Sequence, residues 1–326
     1  MEVVGPDTLQ QAILYFQDPT NCREYLVAHR WPDGVTCPRC GSESVIFQPK
    51  YNRWQCGKKH DRRQFTSKTG TIFEDSPIGL DKWLLAMWQI VNCKNGISSY
   101  ELHRAIGVTQ KSAWFLLHRI RLALQGGSLE KQFSGDVEAD ETFVGGKIRN
   151  MNLKAKGRHI LKYGNVTSGV AGKAIVMGLL ERHGAKNEAS QARVQVLAKR
   201  KRGHLMPVVE HHVEKGANVY TDELKSYREL LVDYTHEVID HTEAYVRDKV
   251  VHTNGMENFW SLFKRALKGT YVSVEPFHLQ AYADEQCYRF NNRKMTDGER
   301  FDSAVKCIVG KRITFDELTG KADPQA

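Results

Sequence analysis

The amino-acid sequence predicts a chain of several domains: a small cysteine-bearing ribbon, a pair of helices joined by a tight turn, and a larger α/β domain. Three observations lead there. Cysteine and histidine recur in two close pairs before residue 61, apolar residues keep helical spacing on either side of Gly107, and from about Phe133 strand-like apolar runs alternate with helical ones. A length of 326 residues suits two or three domains. The divisions are an N-terminal helical segment at 1–35, a ribbon at 36–75, a helical pair at 76–127, an α/β domain at 128–295 and a polar tail at 296–326.

Composition limits what the chain can do. With 41% hydrophobic and 26% charged residues it has the makings of a packed core, so disorder is excluded as the main state. The formal charge of +9 favours polyanionic partners such as nucleic acid. No window approaches the ~18 consecutive apolar residues of a membrane span, and the first twenty residues lack a basic stretch followed by an apolar one. A reducing cytoplasm is the expected setting, because three of the seven cysteines sit at metal-ligand spacing.

Residues 8–30 carry Leu9, Ile13 and Phe16, then Tyr25 and Leu26 after Asp18-Pro19, which predicts two short helices of scaffold. Next come Cys37-Pro-Arg-Cys40-Gly41 and, fifteen residues later, Cys56-Gly-Lys-Lys-His60. Soft ligands paired on two knuckles close a tetrahedron around Zn2+, and the stretches Ser44–Phe47 and Tyr51–Gln55 between them read as a hairpin, hence a zinc ribbon. Cys37, Cys40 and Cys56 are three of the ligands; His60 is the fourth, with His29 or Cys22 as alternatives. Four protein ligands leave no open position, so this zinc is structural, and in so small a module it supplies much of the folding free energy.

Asp81–Val91 buries Trp83, Leu84, Met87, Trp88 and Val91 on one helical face. The apolar positions of Ser98–Gly107 and of Lys111–Ile120 fit two helices packed across a glycine turn, similar to a helix-turn-helix, although His103 stands where that motif has a small residue. The second helix would offer Gln110, Lys111, Ser112 and Arg119 to DNA. Gln125–Ser128 reads as a linker. Strands are predicted at Gly135–Val144, Lys173–Leu180, Ala192–Ala198, Asn218–Thr221 and His236–Ile239, and a closing helix at Leu279–Phe290. Three strands, a helix and a further strand, with carboxylates at strand ends, suit a ribonuclease H-like layer fold. Between Thr142 and Leu180 there is no acidic residue, while Lys147, Arg149, Lys154, Lys156, Arg158, Lys162 and Lys173 are present, a track for DNA or a solvated basic hairpin.

Three carboxylates mark the chemistry. Asp140 ends one strand-like run, Asp222 ends Val219-Tyr-Thr-Asp222, and Glu257, separated from Asp222 by thirty-four residues, opens a helical run. Hard divalent ions, Mg2+ or Mn2+, take oxygen ligands, and two such ions can stabilise the attacking and leaving oxygens of a phosphodiester displacement. Lys264 lies seven residues after Glu257, close to two helical turns, so both share a face on which a cation can hold a phosphate; Trp260 falls off that face. The strand of Asp140 also carries Asp136, Glu138 and Glu141, and residue type alone does not choose among them.

The motifs Cys37-Pro-x-Cys-Gly, Thr69-Gly-Thr-Ile-Phe73, Asp140-Glu-Thr-Phe-Val-Gly-Gly146, Tyr220-Thr-Asp222 and His252-x-Asn-x-x-Glu257-x-Phe-Trp-Ser-x-x-Lys264 stand in this order. Together they resemble the bacterial insertion-sequence DDE transposases with an N-terminal zinc ribbon, relatives of the Merlin elements, over about Leu26 to Arg293. The resemblance implies Mg2+-dependent cleavage of double-stranded DNA at the terminal inverted repeats, joining of the 3′-hydroxyls to target DNA, a homodimer on DNA, and a place in the cytoplasm with the nucleoid. It selects Asp140 over its acidic neighbours, with Asp222 and Glu257 as the other metal ligands and Lys264 as the basic residue; His60 departs from the commoner second Cys-x-x-Cys. A nuclease without strand transfer and a domesticated DNA-binding protein are the alternatives, separated by whether joined product forms and whether repeats flank the gene.

Overall fold

A computed structural model describes residues 5–125, 131–145, 157, 173–182, 189–222, 234–239 and 253–321. The chain divides into two compact units. One holds Met1–Gly127 together with Asn292–Ala326, and the other Ser128–Asn291.

The first unit starts with helices α1 (Leu9–Phe16) and α2 (Pro19–Arg30), each opened by a side-chain cap, Thr8 and Asp18 respectively. Strands β1 (Val45–Gln48), β2 (Arg53–Cys56) and β3 (Gln64–Phe65) form a three-stranded antiparallel sheet. Its hairpin turns at Asn52, which adopts left-handed backbone with φ of 46°, a conformation that asparagine tolerates. Helices α3 (Leu80–Asn92), α4 (Ser99–Ile106) and α5 (Gln110–Leu124) follow. Ser98 and Glu101 form a capping box that starts α4, Gly107 ends it at φ of 62°, and Thr109 caps α5 two residues after that turn. His103 is half-buried, and its carbonyl accepts the Gly107 N–H.

The segment from 296, which the sequence predicts as a polar tail, instead contains helices α9 (Asp297–Lys306) and α10 (Phe315–Thr319), and α9 packs on α2 and α3. The predicted tail misses one buried face: Phe301 is fully enclosed and its ring meets Phe16, Tyr25 and Trp88. The Thr69–Phe73 motif serves this packing. Thr71 bridges Val309, the Ile72 N–H donates to the Ile308 carbonyl, and Gly70 turns at φ of 75°.

The second unit is a five-stranded sheet of β4 (Asp136–Val144), β5 (Ala174–Glu181), β6 (Gln191–Leu197), β7 (Asn218–Asp222) and β8 (Thr235–Ile239), in the order β6-β5-β4-β7-β8. The first three strands pair antiparallel, whereas β7 runs parallel to β4 and β8 to β7. Residue alternation sends each strand's side chains to two different layers. Val137, Ala139, Met177 and Leu179 pack with Leu205 and Val209 of helix α6 (Arg202–His212). Val176 and Leu180 pack on the opposite face with Met256, Phe259, Trp260 and Phe263 of helix α7 (Asn254–Ala266), and with Leu279, Ala283 and Phe290 of helix α8 (Leu279–Asn291). The buried residues of α7 recur three and four apart, which leaves Glu257 and Lys264 on its exposed side. Of the predicted linker Gln125–Ser128, residues 126–128 lie outside the described residues, as do the basic residues Lys147, Arg149, Lys154, Lys156, Arg158 and Lys162.

Candidate functional site

Two groupings of chemically active side chains stand out. The first is in the ribbon, where the ligand atoms of Cys37, Cys40, Cys56 and His60 all lie within 4.8 Å of one another. The alternatives to His60 are engaged elsewhere: the Cys22 thiol donates to the Phe16 carbonyl, and His29 meets the Tyr25 carbonyl and Asp302. Burial opposes ionisation of Cys37, but backbone N–H donors at Arg39 and Cys40 and its thiol neighbours Cys40 and Cys56 outweigh it and bring its pKa down to about 7. His60 Nδ1 lies 2.7 Å from the Asp61 carbonyl, which favours its N–H tautomer there and leaves Nε2 toward the sulfurs. Three thiolate donors and one imidazole are a set suited to tetrahedral Zn2+, and Trp54 and Phe65 pack beside them as a small core.

The second grouping is built on β4. Even-numbered positions of this strand face α7 and odd-numbered ones face the other layer. Glu141, on the far side, pairs with Arg200 at 2.8 Å, its side chain fully buried. Asp136 accepts from the Asn218 amide at 2.7 Å. Glu138 is 1% exposed and does two things: one oxygen takes the Arg182 guanidinium at 2.7 Å, and the other accepts the Met256 N–H at 2.8 Å, so a buried carboxylate caps the first turn of α7.

Asp140 is different. It is half-buried, with Oδ2 accepting the indole N–H of Trp260 at 2.9 Å and Oδ1 the N–H of Glu141 at 2.7 Å. Trp260 thus bridges strand and helix three residues after Glu257, a link that helical spacing alone assigns to no role. Gly178 makes room for it. Gly178 pairs with Asp140 across the sheet, and a Cβ there would lie 2.7 Å from the Trp260 ring.

Asp222 enters by register. The parallel pairing of β4 with β7 runs through Ala139 opposite Thr221, so Asp140 and Asp222 are the next residues on neighbouring strands, which lie about 5 Å apart in any sheet. The side chain of Asp222 lies outside the described residues. Glu257 opens α7 as an exposed first-turn carboxylate, and Lys264 is exposed two turns on. Lys264 borders a cleft of about 540 Å³ that Lys173 and Lys268 also line.

Among the residues predicted to read DNA, Arg119 is a correction. It is 5% exposed, donates to the Glu74 carbonyl at 2.7 Å, and lies over the rings of Trp83 and Phe115. Its position on the inner face of α5, beside Leu116 and Ile120, makes it a core cation. Lys111 is exposed and sits 4.5 Å from the Phe315 ring centroid, Gln110 donates to Ser99, and Ser112 is bonded to Thr109. The sequence missed Glu138, Gly178 and Trp260. For Glu138 the signal is its even position on the strand of Asp140, and for Trp260 it is the i+3 step from Glu257.

No helix among the described residues is long and apolar enough to cross a membrane. Residues 132–291 match the model of the ISXO2-like transposase domain, and residues 18–59 that of the transposase zinc-ribbon domain. The chain is also 29% identical over 250 residues to the "Uncharacterized protein in transposable element ISH50" of Halobacterium salinarum, covering 73% of this chain and 79% of that protein. With both domains matched and in this order, the chain carries a transposase zinc-ribbon domain ahead of an ISXO2-like transposase domain.

Proposed function

We propose that the protein is a DNA transposase that binds the ends of its element, cleaves them by Mg2+- or Mn2+-dependent hydrolysis and joins the freed 3′-hydroxyls to target DNA. One observation carries this reading: Asp140 is bonded to the helix of Glu257 through Trp260 and stands in register beside Asp222. The donor set fits a hard divalent ion, being all carboxylate oxygen. Asp140, Asp222 and Glu257 would hold the metal, and when bound it would offset charge on the attacking and leaving oxygens.

The sheet order supports a ribonuclease H-like domain, because three antiparallel strands are followed by two parallel ones on the far side of β4. The pair α4 and α5 across the Gly107 turn supports a helix-turn-helix, with Gln110, Lys111 and Ser112 at the start of its second helix. In cleavage, a water oxygen bonds to phosphorus as the bond to the 3′ oxygen of the element strand breaks. In joining, that 3′ oxygen attacks a target phosphorus and displaces the target's own 3′ oxygen, so the number of phosphodiester bonds is conserved. Asp140 is held for this by the Trp260 N–H, and Lys264 faces the strand's phosphates from the exposed side of α7. Bringing two ends together calls for two copies on DNA, and the cytoplasm with its nucleoid is the expected place.

The test is a cleavage and joining assay with purified protein, Mg2+ or Mn2+, and DNA carrying the gene's own flanking sequence, with Asp222→Asn alongside. Metal-dependent nicks and joined product that vanish in the variant support the proposal. Nicks without joined product would reduce the protein to a nuclease, and binding without nicks would reduce it to a DNA-binding protein.

A further inference from the structure

The cleft beside Lys264 holds more positive charge than the helix face alone accounts for. Lys173 stands just ahead of β5, while Lys264 and Lys268 sit four residues apart where α7 runs on into a wider π-type turn, Leu267–Tyr271. Among the described residues no carboxylate lines the cleft, and none of the three ammonium groups forms an ion pair or hydrogen bond there. Like charges at this spacing repel, so the arrangement is stable only with an anion or with free solvation.

The turn that carries Lys268 is fixed from below. The Tyr271 hydroxyl donates to Glu285, which is fully buried and is also gripped by Arg289 on α8, and the Tyr271 ring meets that of Tyr282 edge-on. Immediately after, Val272 takes φ of 60° and ψ of −54°, the centre of a γ-turn closed by the Ser273 N–H donating to the Tyr271 carbonyl, a conformation that a β-branched residue rarely adopts, while 78% exposed at the mouth of the cleft. A strained residue on a tethered turn is a site held in shape.

Resting on the transposase reading, we propose that Lys173 and Lys268 complete, with Lys264, a subsite for one backbone phosphate of the bound DNA, away from the bond that is cut. Lys264 lies seven residues along α7 from Glu257, a rise of about 10 Å. The strand side agrees, since Phe143–Gly145 border the cleft three to five residues beyond Asp140, again about 10 Å or more. At about 3.4 Å of duplex axis per nucleotide, that distance is roughly three nucleotides.

The experiment measures binding and cleavage together. Full-length protein is titrated with a fluorescent duplex of the gene's flanking sequence at several salt concentrations, as wild type, Lys173→Ala/Lys268→Ala and Lys268→Arg. The same duplex is also made with a single neutral methylphosphonate two, three or four nucleotides from the cut. The double variant, folded by its melting curve, should bind about tenfold more weakly. Its slope of log affinity against log salt should be shallower by about 1, the contribution of the one phosphate that the subsite neutralises. Lys268→Arg should keep the wild-type slope. One methylphosphonate position should weaken wild type several-fold and leave the double variant unaffected. An unchanged slope, or methylphosphonate effects equal in both proteins while wild type still nicks with metal, would overturn the subsite and spare the transposase reading. Failure of wild type to bind or nick the duplex at all would remove both.

Discussion

Replacing Gly178 with alanine tests the link between packing and chemistry at one atom. The new methyl would lie 2.1 Å from the Met256 methyl and 2.7 and 2.9 Å from two ring carbons of Trp260, where real contacts essentially never fall under 3.0 Å. Met256 can swing its terminal methyl aside, but the indole is wedged between the sheet and α7, 4% exposed. Restoring the 2.7 Å approach to an ordinary 3.4 Å moves the ring by about 0.7 Å, enough to stretch its 2.9 Å bond to Asp140 out of hydrogen-bond range. Overpacking costs about 1–3 kcal/mol, and at roughly 2–4 °C per kcal/mol for a domain of this size the melting temperature should fall by about 2–12 °C. Loss of an outer hydrogen bond to a metal-holding carboxylate costs about 10–100-fold in metal affinity. Gly178→Ala should therefore need ten or more times as much Mg2+ for half-maximal nicking, in protein still folded at the assay temperature. A lower melting temperature with an unchanged Mg2+ requirement would refute the coupling through Trp260. So would a variant indistinguishable from wild type on both counts.

Three more outcomes follow from groups with assigned partners. Glu138→Gln keeps an acceptor for the Met256 N–H but strips the charge from a pair with Arg182 that is almost wholly buried, so a loss of about 3 kcal/mol is expected in thermal or urea unfolding; a stability equal to wild type would show the pair to be dispensable. A zinc chelator, applied without Mg2+ present, should shift the fluorescence of buried Trp54 to longer wavelength as the ribbon opens, and Cys56→Ser should do the same, whereas an unmoved spectrum would count against a folding role for zinc. The last concerns the docking of α9. Burial works against the Asp302 carboxylate, yet hydrogen bonds from His29 and Tyr25 prevail and hold its pKa below the ordinary value. A depressed carboxylate contributes stability above its unfolded pKa and loses it as pH falls through the folded one. The gap in melting temperature between wild type and Asp302→Asn should thus be full at pH 6 and close below about pH 4, and a gap that stays constant with pH would sink the assignment.

Much of this molecule was legible because its local signals agree with its packing. The two knuckles place three thiols and one imidazole in a single cluster, and the glycine between α4 and α5 sits where a left-handed turn is needed. The strands β5 and β6 read from their apolar runs because core residues pack on both of their faces. What escaped was set by partners distant in sequence. The tail looked polar because its one buried stripe, centred on Phe301, is matched by aromatic residues nearly three hundred positions earlier. Arg119 looked like a reader of DNA because charge type is visible in sequence, while the Glu74 carbonyl that receives it is not.

The acidic strand β4 shows the same limit at the site itself. Asp136, Glu138, Asp140 and Glu141 are near neighbours, and only the contacts across the fold separate them. Glu141 falls to the wrong face by parity and is neutralised by Arg200, Asp136 is taken up by Asn218, and Glu138 is spent on Arg182 and the start of α7. Asp140 receives hydrogen bonds from two neutral donors, the Trp260 indole and the Glu141 N–H. A neutral donor orients a carboxylate without itself cancelling the charge, which suits the metal-holding role proposed for Asp140. Glu138 and Asp140 stand on the same face two residues apart, so the strand anchors the start of α7 with one carboxylate and meets Trp260, one turn beyond Glu257, with the other. The spacing between Asp222 and Glu257 can vary with the loops between them, whereas these two contacts bind α7 directly to β4, and it is they that fix where Glu257 emerges.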